Sequence, residues 1–307
     1  MKILITGSSG FVGDAFAKKL VAEGHVVSGV DIAAANWHTN FNFVCDDLRR
    51  FITLISCDQF DLIIHCAAVV GGRQKIDGDP LAVATNLAID SDFWNWIVRG
   101  RKKKRVVYFS SSAVYPIELQ ESNRHCALVE NLVDLNSKRF GLPDQTYGFA
   151  KFAGEFLAKQ AVEHYGVEAV IYRPFSGYGE GQSLDYPFPS IIQRVKNREN
   201  PIKIWGSGDQ ERDFIHIDDI VEAVLSTYNK LPAGAVLNLG TGIATSFRVL
   251  AATAAFYGGY AAKIEPHTDK PEGVFSRVAD VHAMEQWYKP KISLNAGVNL
   301  ALTPRKS

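Results

Sequence analysis

Cysteine is scarce in this sequence, and the cysteines that are present lack the paired spacing of metal sites and disulfide frameworks. Cys45, Cys57, Cys66 and Cys126 are spread over a chain of 307 residues. In a chain of this length such usage argues against a disulfide-stapled scaffold and against a cysteine-based metal site. We therefore expect free thiols in a reducing compartment and no metal centre.

Neither sign of charge dominates, and long apolar runs are missing. Lysine plus arginine and aspartate plus glutamate number 33 each, for a formal net charge of +0. A balanced chain has no global field that would recruit nucleic acid or an anionic membrane. The N-terminal MKILITG leads directly into a predicted strand, without a cleavable apolar segment or an apolar span of about 18 residues. We expect a cytoplasmic protein with neither nucleic acid nor membrane as a partner.

One basic cluster, RGRKKKR at 99–105, interrupts this balance. It stands just before a predicted strand at 106–110, and hence at the amino end of the sheet, opposite the expected ligand edge. Charge runs are usually solvated. We interpret the cluster as a solvated loop and not as a nucleic-acid site.

The sequence does contain a regular alternation of short apolar runs with longer amphipathic stretches. KILITG at 2–7 is followed by apolar residues at near-helical spacing and then by HVVSGVD at 25–31, which makes one strand–helix–strand unit. Later runs such as LIIHCAA, RVVYFSSS, EAVIYRP and AVLNLG continue the pattern. The alternation predicts an α/β fold with a doubly wound, Rossmann-type parallel sheet that carries helices on both faces.

The composition shifts after Pro174, where SGYGEGQSLDYPFP is rich in glycine, proline and aromatic residues. We predict a dinucleotide-binding domain from residues 1–174 plus 213–241. Residues 175–212 plus 242–307 would form a smaller, mainly C-terminal substrate-binding lobe. Ligands of open parallel sheets sit at the carboxyl ends of the strands, so the cleft between the lobes is the expected site.

The segment GSSGFVG follows the first predicted strand and opens a helix. Glycines at Gly7, Gly10 and Gly13 permit a tight turn and close backbone approach, and the N–H groups at the helix start attract a pyrophosphate. Phe11 and Val12 belong to the same helix start. The spacing G-x-x-G-x-x-G predicts a dinucleotide site, although a plain strand-to-helix turn remains open on the glycines alone.

Asp31 strengthens that interpretation, because it ends the second strand where a carboxylate can accept hydrogen bonds from ribose hydroxyls. It would repel a 2′-phosphate, so NAD is favoured over NADP. Asp47 and Leu48, and Ala67 and Ala68 in HCAA, follow the next two strands and would flank the adenine and the phosphates. Asp47 could equally be a helix cap.

TYGFAK places Tyr147 and Lys151 four residues apart, on one face of a predicted helix. A free phenol is a poor base at neutral pH, and a fixed ammonium nearby would lower its pKa. The pair alone also arises by chance on many helices. Its value lies in the chain order: glycine triad, Asp31, a serine-tipped strand at 106–112, then Tyr-x-x-x-Lys.

This order resembles the extended short-chain dehydrogenase/reductase superfamily, in particular its nucleotide-sugar epimerases and dehydratases. YRPFSGYGEGQ, GSGDQERDFIHIDDI, LNLGTG and SRVAD resemble later motifs of the same family, so the resemblance covers essentially the whole chain. It implies NAD as cofactor, a nucleotide-diphosphate sugar as substrate and a homodimer. Tyr147 would exchange a proton with a sugar hydroxyl, Ser111 would hydrogen-bond that oxygen, and Lys151 would hold the nicotinamide ribose.

The stretch YFSSSAVYPI limits the reactions that the resemblance allows. In the family that this chain resembles, the 4,6-dehydratases carry Thr-Asp-Glu where this chain has Ser111, Ser112 and Ala113. The acid/base pair for elimination of water is therefore missing here. The 3,5-epimerase/reductase branch has a cysteine at the position of Ala113 and a histidine or lysine in the loop that here reads QSLDYPFPS. VVGG at 69–72 and Pro116 nevertheless resemble that branch.

The chemistry that remains is oxidation and re-reduction at one carbon, which predicts a 4-epimerase working through a transient 4-keto sugar. A 4-ketoreductase or dehydrogenase and an enzyme related to the 3,5-epimerase/reductases remain alternatives. A non-catalytic NAD-binding regulator is also open, because fold alone does not fix function.

The resemblance also implies where the substrate's diphosphate binds. Arg212 and Arg277 match the family's phosphate-binding positions, and guanidinium suits bidentate phosphate contact. Ser176 stands where the family has an asparagine that touches the phosphate. With Ser111 and Ser112 these residues form the expected substrate-binding set.

Overall fold

The computed structural model of this chain describes residues 1–34, 41–71, 78–121, 126–137, 140–270 and 272–303. Its strands are β1 (Lys2–Thr6), β2 (Val26–Asp31), β3 (Phe41–Cys45), β4 (Leu62–His65), β5 (Arg105–Phe109), β6 (Ala127–Leu128), β7 (Glu168–Pro174), β8 (Ser176–Tyr178), β9 (Ile202–Trp205), β10 (Glu211–His216), β11 (Val236–Leu239), β12 (Ala244–Ser246), β13 (Ile264–His267) and β14 (Ser276–Ala279). Its helices are α1 (Phe11–Ala22), α2 (Leu48–Leu54), α3 (Pro80–Val98), α4 (Gln145–Tyr165), α5 (Pro187–Lys196), α6 (Ile217–Thr227), α7 (Phe247–Tyr257), α8 (His282–Glu285) and α9 (Leu294–Leu302).

Seven strands form one parallel sheet in the order β3-β2-β1-β4-β5-β7-β11. The chain winds outward from β1 in one direction to β3 and then in the other direction from β4 to β11. The carboxyl ends of β1 and β4 therefore lie side by side where the winding reverses, with Thr6 opposite His65. Ligands of such sheets bind at this point. The predicted doubly wound α/β fold is confirmed.

Helices cover both faces of this sheet, because its strands are apolar on both sides. Along β1, Ile3 and Ile5 join the core under α1 and α6, whereas Leu4 joins the core under α2, α3 and α4. This is the alternation expected when successive side chains of a strand point to opposite faces. Two separate hydrophobic cores thus hold the sheet in place.

A third core lies beside the sheet, where α5, α7 and α9 pack around β9 and β10; we refer to these elements as the smaller lobe. Strand β10 links the two regions, since Phe214 packs in the lobe core and Ile215 in the sheet core. Met284 and Tyr288, late in the chain, also pack against the sheet. The division at residues 1–174 plus 213–241 and 175–212 plus 242–307 stays a prediction.

The basic cluster at 99–105 is only partly a solvated loop. Lys104 is 7% exposed, ion-pairs with Asp58 at 2.7 Å and donates from Nζ to Cys57 Sγ at 3.1 Å. Arg105 already belongs to β5 and donates from Nε to the carbonyl of Tyr228 at 2.6 Å. The prediction of a solvated loop was wrong for these two residues, because their side chains bond Cys57, Asp58 and the Tyr228 carbonyl.

All four cysteines are free, as expected. In the part of the chain that the structure describes, no helix combines the length and the apolar character needed to span a membrane.

A buried ion pair ties α4 to the sheet. Arg173 of β7 contacts Glu155 of α4 through two hydrogen bonds of 2.8 and 2.7 Å, with side chains 1% and 0% exposed. Ser110 also donates to Glu155, so this serine joins the end of β5 to the ion pair. Removing one partner of such a pair leaves the other charge buried and uncompensated.

We therefore expect Glu155→Gln to lower the free energy of unfolding by about 3–5 kcal/mol. The surface pair between Asp14 and Lys18, with side chains 27% and 64% exposed, offers a control. Asp14→Asn should cost less than about 1 kcal/mol. Urea denaturation of the two variants measures both values, and equal losses would contradict the assignment.

Candidate active site

A cavity of about 1410 Å³ runs along the carboxyl edge of the sheet and into the smaller lobe. One end is lined by the residues that follow β1, β2 and β4, the middle by residues of α4 and the turn after β5, and the far end by α5 and β10. The cavity thus reaches every region in which the sequence placed a candidate residue.

The glycine turn closes tightly on its neighbours. Gly7 has φ +72°, and a Cβ there would lie 2.6 Å from the backbone nitrogen of Ala67. A Cβ on Gly13 would lie 2.1 Å from the carbonyl oxygen of Gly7. Only glycine fits both positions, because a side chain would push the turn away from the adjacent strand end.

The start of α1 supplies hydrogen-bond donors to this end of the cavity. Asp14 donates to the carbonyl of Gly10 at 2.8 Å, which is the first bond of the helix ladder. The N–H groups of the preceding residues are the ones that a helix start leaves for an anion. Gly10, Phe11, Val12 and Gly13 all line the cavity. The turn therefore fits the pyrophosphate of a dinucleotide.

Asp31 lies at the rim of the same end. Its carboxylate accepts from the backbone nitrogens of Ser9 and Ala33, each at 2.9 Å, which holds it in a fixed orientation at the end of β2. A carboxylate oxygen accepts more than one hydrogen bond, so acceptor capacity for ribose hydroxyls remains. The arrangement fits the expected adenosine contact.

Asp47 is a helix cap, the alternative that the sequence left open. It caps α2 by accepting from the backbone of Arg49 at 2.8 Å, and the guanidinium of Arg49 lowers its pKa. Asp47 and Leu48 still line the cavity, as do Ala67 and Ala68. The cap thus fixes the position of residues that border the adenine end.

The reacting end brings Ser111, Tyr147 and Lys151 into one cavity. The Ser111 hydroxyl hydrogen-bonds the Tyr147 phenol and also accepts from the backbone of Ala113 at 3.1 Å. Lys151 is 2% exposed, and its ammonium lies 5.1 Å from the centre of the Tyr108 ring. The spacing of TYGFAK therefore places both side chains as expected.

The pKa of Tyr147 moves opposite to our expectation. Burial of the phenol raises it to about 12, and the hydrogen bond from Ser111 opposes that rise. The ammonium of Lys151 instead lowers the pKa of Asp90 and opposes the rise at Cys66. The predicted lowering by Lys151 is wrong for the chain by itself, because desolvation sets the direction of the shift and Lys151 is not among its causes.

Ser112 does not reach the cavity, so its place in the substrate-binding set is corrected. It is 5% exposed and begins the 3-10 turn Ser112–Val114, whose residues are all buried. The tight turn after β5 carries the chain away from the ligand at this residue. Ser111 and Ala113 on either side do line the cavity.

The two phosphate candidates are neighbours on adjacent strands. Arg212 of β10 lies opposite Arg277 of β14, and both line the cavity together with Ser176. Arg277 is held by Asp144 at 2.7 Å and by the side chain of Gln120 at 2.6 Å. The carboxylate of Asp144 would compete with a phosphate for this guanidinium.

Two further residues line the cavity that the sequence reasoning did not single out. Tyr186 lies near Tyr147, and burial together with that neighbour raises its pKa. Gln182 donates to the carbonyl of Gly177 at 2.7 Å, while its buried Oε1 has no partner among the described residues. No local motif marks either residue, because both reach the site through the segment between β8 and α5.

Comparison with known proteins agrees with this geometry. The model of the "NAD dependent epimerase/dehydratase family" matches residues 3–240. The chain belongs to this family. The resemblance drawn from the motifs is thereby confirmed, as is NAD as the cofactor. Among the described residues no group of three or more acidic, histidine or cysteine side chains could hold a metal ion.

Relatives of this family member carry out different reactions. GDP-L-fucose synthase of Escherichia coli is 24% identical over 317 residues, covering 97% of this chain and 94% of the relative. GDP-mannose 3,5-epimerase of Arabidopsis thaliana is 27% identical over 316 residues, covering 98% and 81%. These identities leave the specific reaction open.

Solved structures share the whole fold. UDP-glucose 4-epimerase of Thermotoga maritima superimposes with a TM-score of 0.85 over 98% of this chain and 97% of the other, at 23% identity. MoeE5 in complex with UDP-glucose and NAD gives a TM-score of 0.83 at 26% identity, covering 98% and 97%.

The close approach at Gly7 leads to a prediction. Gly7→Ala should raise the dissociation constant for NAD at least about tenfold, since a misfit of more than about 1.4 kcal/mol at the phosphate turn is enough for that change. Gly24 is the matched control, because its φ is +80° but no atom lies within 4 Å of a Cβ there. Gly24→Ala should cost about 1–2 kcal/mol of stability and leave NAD affinity unchanged. Calorimetric titration with NAD measures the affinity of both variants. Equal NAD affinities of Gly7→Ala and Gly24→Ala would contradict the assignment of the Gly7 turn to the pyrophosphate.

Proposed function

We propose that this chain is an NAD-dependent nucleotide-sugar 4-epimerase that works through a transient 4-keto sugar. The observation that carries the proposal is the joint presence of Ser111, Tyr147 and Lys151 in one cavity. The two positions after Ser111 are occupied by Ser112 and Ala113, so the turn carries no carboxylate for elimination. Oxidation and re-reduction at one carbon needs only these three residues and tightly bound NAD as hydride acceptor and donor.

The proposed roles are those that the family resemblance implies, and the shared cavity supports them. Reversible two-electron oxidation of a carbon is the chemistry that bound NAD supplies. Tyr147 takes the proton of the sugar hydroxyl as a phenolate and returns it as a phenol. The hydrogen bond from Ser111 favours the phenolate and holds the sugar oxygen beside it. Lys151 holds the ribose next to the reacting carbon.

Inversion at C4 requires that the keto sugar rotates in the site before the hydride returns to C4. The cavity of about 1410 Å³ is larger than the range of about 300–1,000 Å³ usual for ligand sites. This volume has to accommodate NAD together with a nucleotide sugar. The nucleotide would stay anchored by Arg212 and Arg277 during that rotation.

An enzyme related to the 3,5-epimerase/reductases is the second candidate. The similarity to GDP-mannose 3,5-epimerase supports it, as does Tyr186, a second phenol near Tyr147. Ala113 and the loop QSLDYPFPS lack that branch's cysteine and its histidine or lysine. We weight these missing groups more heavily than ancestry. A net 4-ketoreductase or a non-catalytic regulator is distinguished by the experiments below.

A homodimer and a cytoplasmic location remain part of the proposal. The two longest helices, α3 and α4, expose Leu87, Phe149 and Phe156 by 37%, 45% and 43%. Apolar side chains at this exposure on neighbouring helices support a helix-mediated interface.

The first test is product analysis. Incubation of the NAD-loaded protein with UDP-, GDP-, CDP- and dTDP-sugars should invert C4 in at least one of them, as followed by proton NMR. NADH should not accumulate, because an epimerase regenerates its cofactor. Stoichiometric formation or consumption of NADH would identify a dehydrogenase or ketoreductase, and NAD binding without any turnover would favour the regulator.

The second test concerns the base. Tyr147→Phe should lower kcat by about 10²–10⁴-fold, the usual contribution of a positioned acid/base, with NAD affinity nearly unchanged. Tyr165→Phe is the matched control, since Tyr165 lies on the same helix and is 64% exposed. Steady-state kinetics and NAD titration measure both, and full activity in Tyr147→Phe would show that another group is the base.

A further inference from the structure

A buried polar cluster lies beneath the reacting end and takes no part in the proton transfer described above. Its centre is Asp90 of α3, which is 1% exposed. The carboxylate contacts His65 Nε2 at 3.0 Å and accepts from the Tyr108 hydroxyl at 2.5 Å. Both partners are 0% exposed. A carboxylate this deeply buried requires a positive charge or several donors nearby.

The positive charge is that of Lys151. Its ammonium lies over the ring of Tyr108, whose hydroxyl bonds Asp90, and its charge lowers the pKa of Asp90. Lys151 is itself 2% exposed, so it too needs a counter-charge.

His65 extends the cluster to the wall of the cofactor site. Burial lowers its pKa, so the ring is neutral at neutral pH. With Nε2–H donating to Asp90, Nδ1 accepts from the hydroxyl of Thr6 at 2.7 Å. Thr6 Oγ1 in turn accepts from the backbone of Ala67 at 3.3 Å. The ring is also stacked on Phe93 with centroids 3.8 Å apart, which fixes its orientation.

Helix α4 is built to approach this carboxylate closely. A Cβ on Gly154, three residues after Lys151, would lie 1.8 Å from the Tyr108 hydroxyl oxygen and 2.4 Å from Asp90 Oδ2. Any side chain there would push α4, and with it Lys151, away from the cluster. The glycine therefore supports a specific placement of the helix relative to Asp90.

We propose that Asp90 is a positioning residue: its buried carboxylate is the fixed counter-charge that holds the Lys151 ammonium in place beside Tyr147, and it links both to the cofactor turn through His65 and Thr6. The inference rests on the roles proposed for Tyr147 and Lys151 and extends them. It explains why a charged residue is kept in the sheet core without contact to the cavity.

The charge of Asp90 also affects the pKa of Tyr147, the proposed base. It is one of the causes that raise the pKa of Tyr147, so its removal should lower that pKa. The other titratable groups around the cluster come from β4 and its following residue, β5 and α4; they are His65, Cys66, Tyr108, Lys151 and Glu155.

A double-mutant cycle tests the counter-charge without reference to the reaction. We expect Asp90→Asn and Lys151→Met each to destabilise the protein, because each leaves the other group uncompensated. The double variant should be clearly more stable than the sum of the two losses predicts. Additive losses in urea denaturation would overturn the proposal even if the protein proves to be a 4-epimerase.

The second measurement follows Tyr147 itself by carbon-13 NMR with label at tyrosine Cζ, assigned by comparison with Tyr147→Phe. In Asp90→Asn the titration midpoint of Tyr147 should fall by about one pH unit, the lower end of the effect of a nearby charge. Asp219→Asn is the matched control, since Asp219 is equally buried at 1% exposure but binds Tyr288 and the backbone at 291–292. An unchanged midpoint in Asp90→Asn, or the same shift in Asp219→Asn, would contradict the inference.

If Asp90→Asn does not fold, Tyr108→Phe, which removes one donor to Asp90, should shift the midpoint in the same assay.

Discussion

One turn of helix α4 sets the distance between Tyr147 and Lys151, and the rest of the site is arranged around that constraint. The helix cannot slide, because Glu155 is bonded to Arg173 in β7 and Gly154 lies against Tyr108 in β5. A fixed helix lets the turn after β5 bring the hydroxyl of Ser111 to the phenol. Positioning of this kind is what proton transfer from a sugar hydroxyl demands when the attached carbon is oxidised at the same time.

The sheet supplies the second half of the arrangement. Because all its strands are parallel, the segments after β1, β2, β4 and β5 meet along one edge. The close contact of Gly7 with the backbone of Ala67 holds the phosphate turn against the neighbouring strand end. The cofactor end and the reacting end are thereby kept in one cavity, and the smaller lobe closes it with α5 and β10.

Local patterns in the sequence were enough to predict the fold and much of the site. The glycine spacing, Asp31 and the Tyr147–Lys151 pair could be found because each depends on residues a few positions apart. Ser112 was misplaced because a 3-10 turn follows β5, which composition does not reveal. Tyr186 and Asp90 were missed because their partners are distant in sequence, and only the folded chain brings them together.

The contrast between local motifs and contacts made only in the folded chain also applies to the choice between 4-epimerisation and the other reactions of the family. Motifs place the chain in its family, but the outcome at the sugar depends on which carbon loses hydrogen and where that hydrogen returns. Running the reaction in D₂O with the NAD-loaded protein and proton NMR detection addresses this most directly. The account predicts a C4-inverted nucleotide sugar with no deuterium on any carbon, because hydrogen removed from C4 returns to C4. Deuterium at C3 or C5 of the product would contradict it.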